Sequence, residues 1–356
     1  MKKRGLGIFL IIILALGLLN GCGKKEVTEN VALLSIVAEN DYTSNTVKNT
    51  VERYAQENNL LYKQHQINSD KTEDIEAAIK AAAEAGADVI VCSGTVFEVP
   101  LYNAQSQYKN VKFIIVDGAP RKDEGKNYKV RNNTQAILYA EEQGGFLAGY
   151  AAVKDGYKNL GFIGGIPSES VMRYGTGFVQ GVNYAAEEMG LAKDKVIVRF
   201  IYMGNNDMSP ALMEMAGQWY DDGCEVIFAS GGTIGTAVMK AAEQKDKKVI
   251  GVNIDQAQDS NTVIVSAIKQ IDSTLYSSLN SVYNDEFKGK QVETMNVADG
   301  GIALSINTAR FNNFTQQDYS TIIDKMSSKD FKLSGEETKA IYEAENGFPN
   351  ITIEME

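Results

Sequence analysis

Two rhythms alternate along the chain. Short, nearly continuous apolar runs of the kind buried parallel strands show are separated by longer stretches whose apolar residues return every third or fourth position. VALLSIVA (Val31 to Ala38) is the first strand signal. The amphipathic stretch SNTVKNTVERYAQENN predicts a helix and LLYKQHQI a second strand. TEDIEAAIKAAAEAG predicts a second helix, opened by Thr72 with acids in its first turn and stopped by Gly86. The strands DVIVCSG and VKFIIVDG complete a βαβ series.

The series then recurs. NLGFIGGI (Asn159 to Ile166), YGTGFVQGVNYAAEEMG, DKVIVRFIYM, SPALMEMAGQWYDDG, EVIFASGG and KKVIGVNID repeat the order of strands and helices. Even the wording is shared: AGADVIVCSG stands beside DGCEVIFASGG, and VKFIIVD beside KVIGVN. Two copies of one topology predict an α/β protein of two doubly wound parallel-sheet lobes. Three segments join them: NYKVRNNTQ running into the apolar helix EEQGGFLAGYAAV, then VIVSAIKQIDSTLYSSLNSVYN as strand into helix, then DGGIALSI ahead of a helical tail over about residues 314 to 346. The expected division is lobe 1 over 31–130 plus about 270–300, lobe 2 with hinge segments over 131–269, and a third crossing with a C-terminal helical tail over 301–356.

Ahead of the first strand, residues 1–21 have the layout of a signal peptide. Met1-Lys2-Lys3-Arg4 is a positive head, Gly5 to Leu19 an apolar core, and Asn20-Gly21 a small-residue end. The core is shorter than the roughly twenty residues a bilayer span needs. Leu19-Asn20-Gly21-Cys22 resembles a bacterial lipobox, in which the cysteine is acylated and becomes the new N-terminus. Cys22 is therefore the expected lipidation site, residues 22–30 a tether, and the extracytoplasmic face of the cell membrane the expected location.

Charge narrows the partners. The formal charge is −11, and removing residues 1–21 leaves 32 basic residues against 46 acidic, a charge of −14. That balance opposes nucleic acid, and leaves the lipid as the only expected membrane attachment. Cys92 and Cys224 lie in apolar stretches as expected buried thiols, and the single His65, in an expected edge strand, leaves no metal site. No cofactor is expected either: GTGFVQG spaces its glycines as GxGxxxG, unlike the dinucleotide fingerprint, and helix packing accounts better for Gly177 and Gly181.

In open parallel sheets, ligands bind beyond the carboxyl ends of the strands. The loops there, ENDYTSN, SGTVFE, DGAP, IPSES, MGNND, SGGTIG and NIDQ, are small and polar and suit a polyhydroxylated or heteroaromatic molecule. Gly231, Gly232 and Gly235 either let backbone approach the ligand or close a tight turn. Asp41, Asp117 and Asp255 are read as hydroxyl binders or caps rather than acid–base groups. Ser93 and Ser230 stand outside GxSxG, with no histidine but His65 to activate them, so no catalytic residue is expected. Tyr42, Phe97, Tyr102, Tyr174 and Trp219 are the aromatics available for stacking, with Phe97 and Trp219 equally suited to the core.

Taken in order, EEQGGFLAGYAA, GFIGG followed by RYGTGFVQGV, YDDGCEVIFASGG, VIGVNIDQ, VSAIKQID and DGGIALS resemble the basic membrane protein family of ABC-transporter substrate-binding lipoproteins. The likeness runs from about residue 31 to about residue 310. It implies the type I periplasmic-binding-protein fold, an ABC permease as partner, and a purine nucleoside as ligand. Lys269 and the Gly231-Gly232 pair match the family's site; Asp41 and Asn45 keep their places in its first loop. Ser44 stands where a stacking Phe is usual, Asn205 where a Phe precedes Asp207, and Asn253 where an Asp binds ribose hydroxyls. The expected ligand set is thus Asp41, Tyr42, Ser44, Asn45, Phe97, Asp117, Asn205, Asp207, Gly231, Gly232, Asn253 and Lys269, holding a nucleoside-like compound or a sugar in a monomeric receptor. A sensory receptor for a sugar or other heterocycle is the alternative, and an extracytoplasmic hydrolase using aspartates a remoter one.

Overall fold

The computed structural model describes residues 28–36, 42–122, 127–328, 330–333 and 347–356. Residues 1–21, Cys22 and most of the tether lie outside the described residues, as does Asp41.

The apolar runs of the first half become β1 (Val31–Ile36), β2 (Tyr62–Ile67), β3 (Val89–Ser93) and β4 (Lys112–Val116), with α1 (Tyr42–Glu57), α2 (Thr72–Ala85) and α3 (Glu98–Gln107) between them. Next come β5 (Thr134–Tyr139) and α4 (Glu141–Asp155). The repeat gives β6 (Asn159–Gly164), α5 (Glu169–Glu188), β7 (Ile197–Tyr202), α6 (Pro210–Asp221), β8 (Val226–Ser230), α7 (Ile234–Lys245) and β9 (Lys248–Asn253). The remainder supplies β10 (Val263–Lys269), α8 (Ile271–Tyr283), β11 (Gln291–Met295), β12 (Ile302–Leu304), α9 (Gln316–Met326) and β13 (Thr352–Met355).

Two sheets result, ordered β11-β5-β4-β3-β1-β2 and β12-β10-β9-β8-β6-β7-β13. Among the described residues, every pairing between these strands is parallel except β10 with β12. Both faces of β3 and β8 are buried, which is why their sequences are continuously apolar rather than alternating. Helix α2 ends as its sequence predicts: Gly86 takes φ 99°, and its N–H reaches back to the carbonyls of Ala82 and Ala83.

Two boundaries differ from the expectation. Residues 134–139, which a division at 131 gives to the second lobe, pair with β4 and β11 in the first sheet. The polar turn Arg131-Asn132-Asn133 reads like the end of a lobe, yet it is only the connection into an inner strand. The tail also does not stay helical: β13 pairs in parallel with β7 and forms an edge of the second sheet.

Helices α4 and α5 pack backbone to backbone. A Cβ at Gly145 or Gly149 would strike the α5 backbone, and one at Gly177 or Gly181 would strike the carbonyls of Glu142 and Phe146. Gly177 and Gly181 of GTGFVQG serve this contact, whereas Gly175 makes room for the Phe162 and Phe200 rings. His65 also departs from a plain surface reading: its ring nitrogen lies 2.8 Å from the fully buried Glu29 carboxylate.

Among the described residues the chain passes between the sheets three times, from Tyr139 to Glu141, from Lys269 to Ile271 and from Met295 to Ile302. Ala140 N–H donates to Met295 O and Gln270 N–H to Gly301 O, each at 2.9 Å, so the first and second passages are both stitched to the third. These short backbone links form the hinge.

Candidate functional site

The repeated strands bring equivalent positions to the two walls of the cleft. Asp117 follows β4 and Asn253 ends β9, and both adopt left-handed backbone, with φ of 55° and 67°. Few side chains other than Asp and Asn tolerate this conformation well. The same type of residue therefore ends the same strand in each half, with the chain turning sharply at both.

Lys269, the last residue of β10, links the two sides. Its ammonium donates to both carboxylate oxygens of Asp117 at 3.0 Å and lies 2.8 Å from Glu141 Oε1. It also stands over the Tyr139 and Tyr174 rings, 5.3 and 6.0 Å from their centroids. Burial disfavours its charge, yet Asp117 and Glu141 hold its pKa well above the usual lysine value. For Glu141 burial is again the largest influence and acts upward, but Lys269 and then Arg173 outweigh it and keep the carboxyl below its ordinary range. Arg173 Nη1 lies 3.4 Å from the second Glu141 oxygen. Each of these two carboxylates thus has a cation beside it, the condition under which buried charges are tolerated.

A cavity of about 50 Å³ that includes Asn253 in its lining is walled by Tyr42 from the first lobe and by Gly231, Gly232, Gly235, Thr236, Val252, Asn253 and Gln256 from the second. The Tyr42 hydroxyl donates to Asp259 Oδ2 at 2.7 Å, joining the lobes across the rim. Gln256 Oε1 accepts from Val252 N–H at 2.9 Å, and its Nε2 donates to the same Asp259 oxygen at 3.4 Å. Beside this, at the carboxyl ends of β1 and β3, a larger hollow of about 260 Å³ is bordered by Ser35, Ser44, Asn45, Lys48, Ser93 and Phe97 among others. At the far rim Arg121 pairs with Glu98 and lies 3.8 Å from Glu169 of α5.

Nine of the twelve residues expected from sequence to bind the ligand fall into three groups. Tyr42, Gly231, Gly232 and Asn253 share one cavity, Ser44, Asn45 and Phe97 border the other, and Asp117 with Lys269 forms the ion pair between them. Phe97 is 1 % exposed and belongs to the first lobe's core. Trp219 is likewise core, against Gly161. Asn205 and Asp207 sit on an exposed loop, where Asn205 Oδ1 accepts from the Asp207 N–H at 3.1 Å, and neither borders these two cavities. Their neighbour Asn206 touches the site instead: its Oδ1 accepts from Ile166 N–H at 2.9 Å, and it packs where a Cβ on Gly231 or Gly232 would fall. Asp255 holds a turn, accepting from Ala257 N–H and from Thr308 Oγ1. Sequence reasoning missed Glu141, Gln256 and Asp259. Glu141 opens the quoted EEQGG run, but nothing in one sequence says that it meets Lys269.

Two doubly wound lobes with three crossings and a polar cleft at their strand ends define the type I periplasmic-binding-protein class. Solved ABC-transporter solute-binding proteins share the fold: one from Conexibacter woesei has a TM-score of 0.68 at 18 % identity, covering 86 % of this chain and 99 % of its own. One from Aeropyrum pernix has a TM-score of 0.66 at 18 % identity, covering 90 % and 86 %. The family model described as ABC transporter substrate-binding protein PnrA-like matches residues 33–334, and the chain belongs to that family. The ABC transporter nucleoside-binding protein BmpA of Lactococcus lactis is 26 % identical over 343 residues, spanning 87 % of this chain and 93 % of that relative. The protein is thus an extracytoplasmic substrate-binding protein of an ABC transporter, whose partners are a small molecule and a permease.

Proposed function

We propose that this protein is a lipid-anchored receptor that captures a neutral, polar, nucleoside-like solute between its lobes and delivers it to a permease without chemical change. The observation that carries the reading is the paired charge at the hinge between the lobes: Lys269 is engaged by Asp117 and Glu141, and Arg173 lies beside the second Glu141 oxygen. A lysine held by two carboxylates has little left for an anionic solute, whereas hydroxyls and amides around it suit a neutral one. The likeness to a relative described as nucleoside-binding supports the same class. Contacts from both lobes favour a closed form around the solute by population shift.

Calorimetric titration of the unrefolded protein with inosine, adenosine, guanosine and ribose tests this. Saturable binding of a nucleoside, with the compound recovered unchanged, is the expected outcome. Absence of binding to all four, or turnover of any, would overturn it. Cys22 is the proposed anchor, so C22S should move the protein from the membrane fraction into the medium or periplasm.

A further inference from the structure

The amide and charged side chains along the second lobe's wall are mostly engaged with the protein itself. Gln256 is bound at both ends of its amide, to Val252 N–H and to Asp259, and Lys269 is bound by two carboxylates. Asn253 is held by one end. Its Oδ1 accepts from the Tyr174 hydroxyl at 3.2 Å, and Asn253 is among the residues that line the cavity shared with Tyr42.

The direction of that bond follows from the surroundings of Tyr174. The ring is buried on α5, edge-on to Phe228 with centroids 5.7 Å apart, and Gly144 of α4 leaves it room where a Cβ would touch it at 2.9 Å. Its hydroxyl therefore has a fixed position. Burial raises its pKa, so the phenol keeps its proton and must give it to an acceptor. Only the oxygen of an asparagine amide accepts; its nitrogen carries two hydrogens and offers no lone pair. With the oxygen turned to Tyr174, the nitrogen is turned the other way. The left-handed backbone at Asn253, φ 67°, fixes where the side chain starts.

We infer that Tyr174 is a positioning residue that turns the Asn253 amide nitrogen toward the cleft, so that the captured solute presents a hydrogen-bond acceptor there, such as a carbonyl oxygen, an ether oxygen or a ring nitrogen. This rests on the reading of the cleft as the solute site. A carboxylate at the same place would ask for the opposite, a donor such as a hydroxyl pair. The choice of Asn at 253 thus selects by the polarity of one hydrogen bond rather than by charge, and Tyr174 enforces it.

Two measurements on the full protein test this, the first without any solute. In protein labelled with 15N-asparagine, with the Asn253 signal identified by its loss in N253D, the side-chain amide protons should exchange with water as fast as exposed amides do, in wild type and in Y174F alike. Amide protons that are protected in wild type and lose protection in Y174F would overturn the inference, because the amide would then be donating to Tyr174. The second is calorimetry with inosine, adenosine and ribose. For whichever of these wild type binds most tightly, N253D should weaken binding about tenfold and Y174F about threefold. N253D binding equally well or more tightly would overturn it. If none of the three binds, the solute class is wrong, and the exchange rates still decide the orientation.

Discussion

The lobes meet in two chemically different ways, at the hinge and at the rim. At the hinge, Lys269 of β10, Glu141 of α4 and Asp117 of the first lobe form a largely buried cluster, with side chains 2 %, 5 % and 19 % exposed in that order. At the rim, Tyr42 reaches Asp259 and Arg121 reaches Glu169, and both acidic partners are exposed. Exposed pairs exchange for water at little cost, whereas a buried charge that loses its partner does not. Opening should therefore part the rim first and pivot about an intact hinge cluster.

The largest effect expected is from Lys269→Met. It leaves Glu141 and Asp117 facing each other with no cation between them, and removing one partner of a buried ion pair typically costs about 3–5 kcal/mol. Urea unfolding monitored by circular dichroism measures it. A loss no bigger than that of a rim substitution would erase the distinction between the two regions.

Glu141→Gln sharpens the comparison through pH. Glu141 has a folded pKa below its unfolded value, so its contribution is present above the ordinary glutamate pKa of about 4.3 and is lost as pH falls through the lower folded pKa. Wild type should be more stable than E141Q at pH 7, by about 1.5–3 kcal/mol for a hydrogen bond to a charged group, with the gap narrowing below about pH 4. Lys269 works in the other direction: its raised pKa gives stability that is complete below the ordinary lysine value and fades only as pH climbs past it. A stability gap that widened in acid would contradict the hinge pairing.

Much of the scaffold was legible because it rests on local pattern. Apolar runs that are buried on both faces, and a doubled order of elements, announce β3 and β8 and the two-lobed fold without any knowledge of contacts. The three passages between lobes were legible too, since each needs a helix or strand at a fixed place in the repeat. The site was readable only as loops at strand ends. That DGAP and SAIKQ supply Asp117 and Lys269 was visible, but their pairing joins positions 152 residues apart. Glu141 stands in the first turn of α4, where acids ordinarily serve the helix dipole, so its position alone does not mark it. Asp259 lies in a polar stretch with no periodicity, and only the fold brings it under Tyr42. Residues 134–139 and β13 were misplaced or missed because strand partnership depends on distant neighbours, not on the strand's own residues.

Tyr42→Phe is the smallest expected effect and isolates the rim. The ring stays to wall the cavity, and only the hydroxyl that donates to Asp259 is removed. Because Asp259 is exposed, water replaces the lost donor, and the change in unfolding free energy should stay within about 0.5–1.5 kcal/mol, the net worth of one hydrogen bond. The lobes' preference for the closed arrangement should change more visibly than global stability, since this bond exists only while the lobes are together. Small-angle scattering of solute-free protein should show a larger radius of gyration for Y42F than for wild type, and saturating solute should bring the two together. If Y42F and wild type scatter alike without solute while K269M alone opens the molecule, the hinge cluster and not the rim holds the lobes closed.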